Sequence, residues 1–182
     1  MVELKYMYIP IILGTAREGR QSEKVANFVL QETIKIGLES EILDVRDYRV
    51  KATDNSGESP EAKKLAEKIK KADALIIVSP EYNHGYPGEL KMMLDLLYKE
   101  YMQKPVGFCG VSAGGLGGAR VVEQLKLVSL GYDMVPIHEV MYFSMVQNLF
   151  DEKGNIKDVL YGNKTQAFLN ELISYVEKLK VN

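Results

Sequence analysis

Cysteine, tryptophan, net charge and long apolar runs are all scarce in this sequence, and each scarcity removes a class of function. The 182 residues include one cysteine, Cys109, and no tryptophan. One cysteine closes no disulfide framework and builds no cysteine-based metal site, so the expectation is a buried, inert thiol in a reducing compartment. The histidines His84 and His138 lie far apart with no ligand spacing around either, so no metal site is expected. A formal net charge of -2 leaves no basic field, which argues against nucleic acid as a partner. The apolar stretch Tyr6–Leu13 is too short to cross a membrane. It follows the mixed charges Glu3 and Lys5 and leads into no small-residue cleavage pattern, so a cytoplasmic protein is expected. Repeats, low-complexity tracts and linkers are also missing, and residues 1–182 read as a single domain with one sizeable core.

What is present is an alternation. Short apolar, β-branched runs occur at Tyr6–Leu13, Glu41–Val45, Ala74–Ser79, Val106–Val111 and Met134–Ile137, each reading as a strand. Amphipathic stretches at about Glu23–Gly37, Pro60–Lys71, Gly88–Tyr101, Gly118–Leu130 and Lys164–Lys180 read as helices, and Lys51–Pro60 as a polar surface loop. The runs Ile76–Ser79 and Val106–Val111 are apolar without alternation, as strands covered on both faces are. The expectation is therefore an α/β, three-layer sandwich: a five-stranded parallel sheet of order 2-1-3-4-5 with helices on both faces, the flavodoxin-like arrangement. Pro10 lacks the N–H that an interior strand needs, so a local break is expected there, or a first strand limited to Ile11–Leu13 on one side.

Ligands in such sheets bind outside the carboxyl ends of the strands, and three strand ends here carry unusual residues. The first is Gly14–Ser22, GTAREGRQS. A loop feeding a helix N-terminus directs backbone N–H groups toward an anion, and Thr15, Ser22 and Arg17 add hydroxyls and a charge-assisted fork. Gly14 and Gly19 have Walker-loop spacing, but Arg20 and Gln21 stand where lysine and serine or threonine are required. The dinucleotide pattern G-x-G-x-x-G is absent. Alone, the stretch fits equally well with Ser22 as an N-cap and Arg17 and Arg20 solvated. The second is Ser79–Gly88, SPEYNHGYPG, where Tyr82, His84 and Tyr86 are placed to flank a planar heterocycle; a rigid turn with Pro87 opening a helix and a surface His84 is the plainer alternative. The third is Gly110–Gly118, GVSAGGLGG, suited to close approach by a flat ligand or simply to loop flexibility. In the 2-1-3-4-5 order these loops converge. One anion site and two surfaces for a flat ring indicate a phosphorylated heterocycle.

The segments GTAREGRQS (Gly14–Ser22), SPEYNHGYPGELK (Ser79–Lys91) with Asp95, and VSAGGLGGARVVEQLK (Val111–Lys126) resemble the NADPH-dependent FMN reductases of the flavodoxin-like superfamily, which include quinone and azo-dye reductases. FDEKGNIKD (Phe150–Asp158) matches more weakly. The resemblance implies that Thr15, Arg17 and Ser22 bind the FMN phosphate. It implies that Pro80, Glu81, Tyr82 and Asn83 border the isoalloxazine ring, mostly through backbone groups, and that Ser112, Ala113, Gly114 and Gly115 contact its pyrimidine side. Tyr82 and His84 would then face the acceptor. Where the family often has asparagine and tryptophan, this chain has Met92 and Leu96; both stand on the third helix, which in the family contributes to dimerisation.

By that resemblance, hydride from NADPH or NADH passes through bound FMN to a small acceptor such as FMN itself, a quinone or an azo compound, and no side chain need act as nucleophile. A flavodoxin-type electron carrier or a flavin-binding sensor without turnover is the alternative, although -2 gives no strongly acidic docking surface. A CoA- or nucleotide-binding module shares the fold. A homodimer or homotetramer is expected. On the third helix Leu90, Met93, Leu94, Leu97 and Tyr101 form a stripe toward the sheet, while Met92 and Leu96 add an apolar edge left wet in a monomer. The apolar segment Val140–Gln147 follows the fifth strand; it either fills core space beside the last helix or, with Tyr142 or Phe143, walls the substrate pocket.

Overall fold

The apolar runs become one parallel sheet in the computed structural model of the chain, which describes residues 7–53 and 56–180. Its strands are β1 (Ile11–Leu13), β2 (Ile42–Asp44), β3 (Leu75–Pro80), β4 (Pro105–Val111) and β5 (Val135–Phe143), in the order β2-β1-β3-β4-β5. Every neighbouring pair is parallel. The helices are α1 (Ser22–Lys35), α2 (Pro60–Lys71), α3 (Gly88–Leu94), α4 (Ala119–Gly131) and α5 (Leu160–Lys180).

The lack of alternation in the strands has a direct cause. Ile11, Leu13, Ile76 and Val78 pack on one side with Val25 and Val29 of α1 and Leu169 and Leu172 of α5. Ile12, Leu75 and Ile77 pack on the other with Leu65 and Ile69 of α2, Leu90 and Met93 of α3, and Val121 and Leu125 of α4. Both faces are therefore core, and each of these side chains contributes about 1.5–3 kcal/mol by leaving water.

Pro10 breaks the first strand as expected. The amides of Ile9 and Ile11 donate to Glu39 and Glu41 on the β2 side, while the Pro10 carbonyl accepts from Ile76 on the β3 side at 3.1 Å. The missing N–H thus falls on the β3 side, and the strand shrinks to Ile11–Leu13. The outer part of the expected run, Tyr6, lies outside the described residues, as do 54 and 55 of the polar Lys51–Pro60 loop.

Three expectations need correction. The fifth strand does not stop at Ile137 but runs to Phe143. The register passes from Val106↔Pro136 to Phe108↔Val140, so β5 bulges, and the exposed, polar His138-Glu139 pair sits in the bulge where it hid the continuity of the pattern. Val140–Phe143 is therefore strand, not a segment leaving the sheet. The third helix ends at Leu94 rather than Tyr101. There the Asp95 carboxylate takes Lys91 Nζ at 2.6 Å and the Tyr132 hydroxyl, and the chain tightens into three-residue turns through Leu96 N–H to Met93 O and Leu97 N–H to Leu94 O. The stripe Leu90, Met93, Leu94, Leu97 and Tyr101 is buried as expected, but Leu96 is buried in its own chain as well. The apolar side chains left exposed there are Tyr98 and Met102.

Candidate functional site

The loops after β1, β3 and β4 do meet. Thr15 Oγ1 lies 2.8 Å from the Tyr82 hydroxyl, and the Glu81 N–H donates to Val111 O at 2.9 Å. A groove of about 990 Å³ between α2 and Leu96–Glu100 is lined by no residue of these three loops.

In the first loop the arginines divide the work. Arg20 is buried, with its guanidinium bidentate on Asp44 at the end of β2 and also donating to Thr15 O. Hydrogen bonding to Asp44 raises the Arg20 pKa, and although burial pushes Asp44 up, Arg20 draws its carboxyl below the ordinary carboxylate range. Arg20 is thus a rivet holding the loop to the sheet, neither solvated nor a ligand-facing group. Arg17 is exposed, its guanidinium carbon 6.0 Å from the Tyr82 ring centroid. Ser22 is not an N-cap. Gln21 holds that position, and Ser22 is the first helical residue. Its Oγ is buried and has no hydrogen-bond partner among the described residues. A buried hydroxyl in that state costs about 1–3 kcal/mol unless a ligand or water meets it. Thr15 is fully buried and already engaged: its hydroxyl meets Tyr82 and Glu89 and accepts the Arg17 N–H at 3.2 Å.

The second loop closes as a two-residue hairpin turn. Tyr82 and Gly85 exchange both backbone hydrogen bonds at 2.9 Å, with Asn83 at φ 49° and His84 at φ 69° between them. Positive φ at both central residues is the type I′ pattern, which favours asparagine first and glycine second. The N–H groups of Glu81 and Tyr82 are already taken by Val111 O and Gly85 O. The amides of Asn83 and His84 make no hydrogen bond among the described residues, and both residues are exposed. The turn is clamped from α4. Arg120 Nη1 and its backbone N–H donate to the Glu81 carboxylate at 2.8 and 3.1 Å, and Gln124 Nε2 donates to His84 O at 2.6 Å. Burial raises the Glu81 pKa, but Arg120 more than offsets it, so the carboxyl titrates below its ordinary range. Tyr86 is half-buried against the α2–α3–α4 core.

The glycines of the third loop serve two purposes. A Cβ at Gly110 would lie 2.7 Å from Gly117 O, at Gly117 2.8 Å from Tyr142 Cβ, and at Gly118 2.6 Å from Val111 N. These three let backbone pass backbone. A Cβ at Gly114 or Gly115 would meet nothing within 4 Å. Ser112, Ala113 and Gly114 are stitched to the chain after β5: Val146 N–H donates to Ser112 O, Met145 N–H to Gly114 O, and Gln147 Nε2 to Ala113 O. Tyr142, Met145 and Leu116 form an exposed apolar rim here, whereas Phe143 is fully buried and walls nothing.

These features fit a phosphorylated flat ligand: among the described residues, a buried Ser22 hydroxyl with no hydrogen-bond partner, an exposed Arg17 guanidinium over the Tyr82 ring, two open glycines, and the Asn83 and His84 amides without a hydrogen bond. Arg20, Asp44, Glu89, Arg120 and Gln124 were not singled out from the sequence as parts of such a site. Arg20, Glu89, Arg120 and Gln124 stand inside the three motifs, which was the signal that could have found them; Asp44, at the end of β2, had none.

Over residues 7–148 the chain matches the family described as NADPH-dependent FMN reductase. A quinone reductase of Pseudomonas putida is 31% identical over 182 residues, covering 93% of this chain and 94% of that protein. An NAD(P)H-dependent FMN reductase of Pseudomonas aeruginosa is 31% identical over 180 residues, covering 93% and 95%. Among solved structures, a flavoenzyme NAD(P)H:(acceptor) oxidoreductase from Paracoccus denitrificans superposes with a TM-score of 0.82 at 23% identity, over 94% of this chain and 98% of that one. This last likeness speaks to the fold, which is flavodoxin-like.

Proposed function

The chain belongs to the NADPH-dependent FMN reductase family, and on that premise we propose that it transfers reducing equivalents from NAD(P)H, by way of bound FMN, to a small flat acceptor. The observation that carries the reading is the Ser22 hydroxyl, buried with no hydrogen-bond partner among the described residues at the start of α1, on the same loop as the exposed Arg17. That pair is what a phosphate monoester at a helix N-terminus requires. Arg17 and Ser22 hold the phosphate, and Thr15 shapes the loop from beneath through its carbonyl contact with Arg20. The amides of Asn83 and His84 face the ring edge, with Pro80, Glu81 and Tyr82 behind them. Ser112, Ala113, Gly114 and Gly115 line the pyrimidine side. FMN supplies the two-electron chemistry when bound. The chain's own part is to hold the ring with one face open, and to exclude water on the other side.

An enzyme reading is favoured over a one-electron carrier, since the curated relatives described above are named as reductases. Acceptor and nicotinamide share the open face beside Tyr82, His84 and the Tyr142–Met145 rim. We place the enzyme in the cytoplasm as a single domain and assign it a homodimer, with exposed Tyr98 and Met102 on the contact face. A Tyr98→Glu, Met102→Glu variant sediments as a monomer on this account, and unchanged mass would remove those residues from the interface. Among the described residues no helix is long and apolar enough to cross a membrane. Steady-state kinetics test the shared face. Parallel double-reciprocal lines for NAD(P)H and a quinone are expected, and intersecting lines would refute it. His84→Ala alters acceptor kinetics with FMN affinity nearly unchanged; a variant that loses FMN instead moves His84 to the cofactor side.

A further inference from the structure

Glu89, the second residue of α3, reaches back to the first loop. Its Oε1 accepts the Ala16 N–H at 2.9 Å and lies 3.3 Å from Thr15 Oγ1, which points its hydroxyl either here or at Tyr82. The donors of the loop nearest β1 therefore serve a carboxylate of the chain itself. Burial raises the Glu89 pKa, but the Ala16 amide, the Thr15 hydroxyl and the nearby Arg49 charge outweigh it, so the group is ionised at neutral pH. The remaining anion-binding groups, Ser22 Oγ and the Arg17 guanidinium, do not touch it.

We propose that Glu89 is a built-in competitor for the flavin phosphate, holding the Ala16 amide and Thr15 hydroxyl with a fixed negative charge and so keeping FMN exchangeable rather than permanently bound. The proposal rests on the reading of Gly14–Ser22 as the phosphate loop. An FMN phosphate carries about -1.5 to -2 charges near neutrality. If it takes the donors from Glu89, the carboxylate loses its hydrogen bonds; if it settles on Arg17 and Ser22 alone, it lies beside a like charge. Either way the Glu89 charge costs affinity, and only for the phosphorylated ligand. FMN then binds reversibly and exchanges between turnovers, while each reduction and reoxidation takes place with the flavin in the crevice.

The test is the dissociation constant of FMN and of riboflavin for wild type and Glu89→Gln, read from quenching of flavin fluorescence. Glutamine keeps an acceptor for Ala16 and removes the charge. Glu89→Gln binds FMN about tenfold more tightly, the scale of one like-charge pair a few ångström apart near a surface. Riboflavin affinity stays within about twofold, which also reports an intact ring site; Glu89→Asn replaces the variant if riboflavin binding is lost. Unchanged or weaker FMN binding, or equal tightening of both ligands, would overturn the proposal. Wild-type protein that binds riboflavin as well as FMN would overturn the phosphate-loop reading itself, a separate failure visible before any variant is made.

Discussion

Single side chains in the first loop carry distinct and separable costs. Arg17 is exposed and uncommitted, so Arg17→Ala leaves the fold intact and weakens FMN by about 1.5–3 kcal/mol, the worth of a hydrogen bond to a charged group. Riboflavin, which has no phosphate, binds as before, and isothermal titration with the two ligands separates the cases. Asp44→Asn has the opposite profile. It strands the buried Arg20 guanidinium, and thermal unfolding registers a loss of about 2–3 kcal/mol, less than the full cost of breaking a buried pair because the Asp44 side chain is 21% exposed. The carboxyls of Asp44, Glu81 and Glu89 all titrate below their ordinary values. A depressed pKa stabilises the fold fully above the unfolded value and is lost as pH falls through the folded one. Stability is therefore flat down to roughly pH 5 and declines as pH drops further through about 4; a decline beginning near neutrality would contradict this set of carboxylates. Cys109 lies inside β4, buried as read from the sequence, and burial pushes its thiol pKa up.

At the scale of elements, the third loop separates structural from ligand-facing glycines. Gly118 sits at φ 83° with its absent Cβ 2.6 Å from Val111 N, so Gly118→Ala strains the turn and overpacks it at once, costing about 1–3 kcal/mol or more. Gly115→Ala, with nothing within 4 Å, leaves the melting temperature nearly unchanged and acts on flavin affinity instead. Equal melting temperatures for the two variants would erase the distinction. The hairpin turn after β3 runs the same logic in reverse. His84 holds φ 69° where glycine is preferred, and a left-handed residue costs about 1–2 kcal/mol, so His84→Gly stabilises the fold on that scale while changing acceptor kinetics. None of this was legible in composition: GVSAGGLGG reads as uniformly permissive until the chain passing behind it is known. The end of α3 at Leu94 was hidden for a similar reason. Its apolar stripe continues unbroken to Tyr101, and only the capture of Asp95 by Tyr132, far along the chain, shows where the helix stops.

The whole molecule was more legible than its parts. Buried-strand runs alternating with amphipathic helices specify a parallel sheet covered on both faces, and the order β2-β1-β3-β4-β5 then sets the loops of β1, β3 and β4 side by side. The site's location followed from that order. Its wiring did not, since Arg20 with Asp44, Ala16 with Glu89 and Glu81 with Arg120 are pairings across 24, 73 and 39 residues that no local pattern records. On this reading the crevice passes reducing equivalents from NAD(P)H to an acceptor by way of FMN, leaving NAD(P)+. The most direct measurement is the visible spectrum of FMN-loaded protein under anaerobic conditions. Addition of NAD(P)H should bleach the flavin absorbance, and a quinone added afterward should restore it. Flavin that stays oxidised with both NADH and NADPH, or that bleaches and is not restored by any acceptor, would contradict the claim.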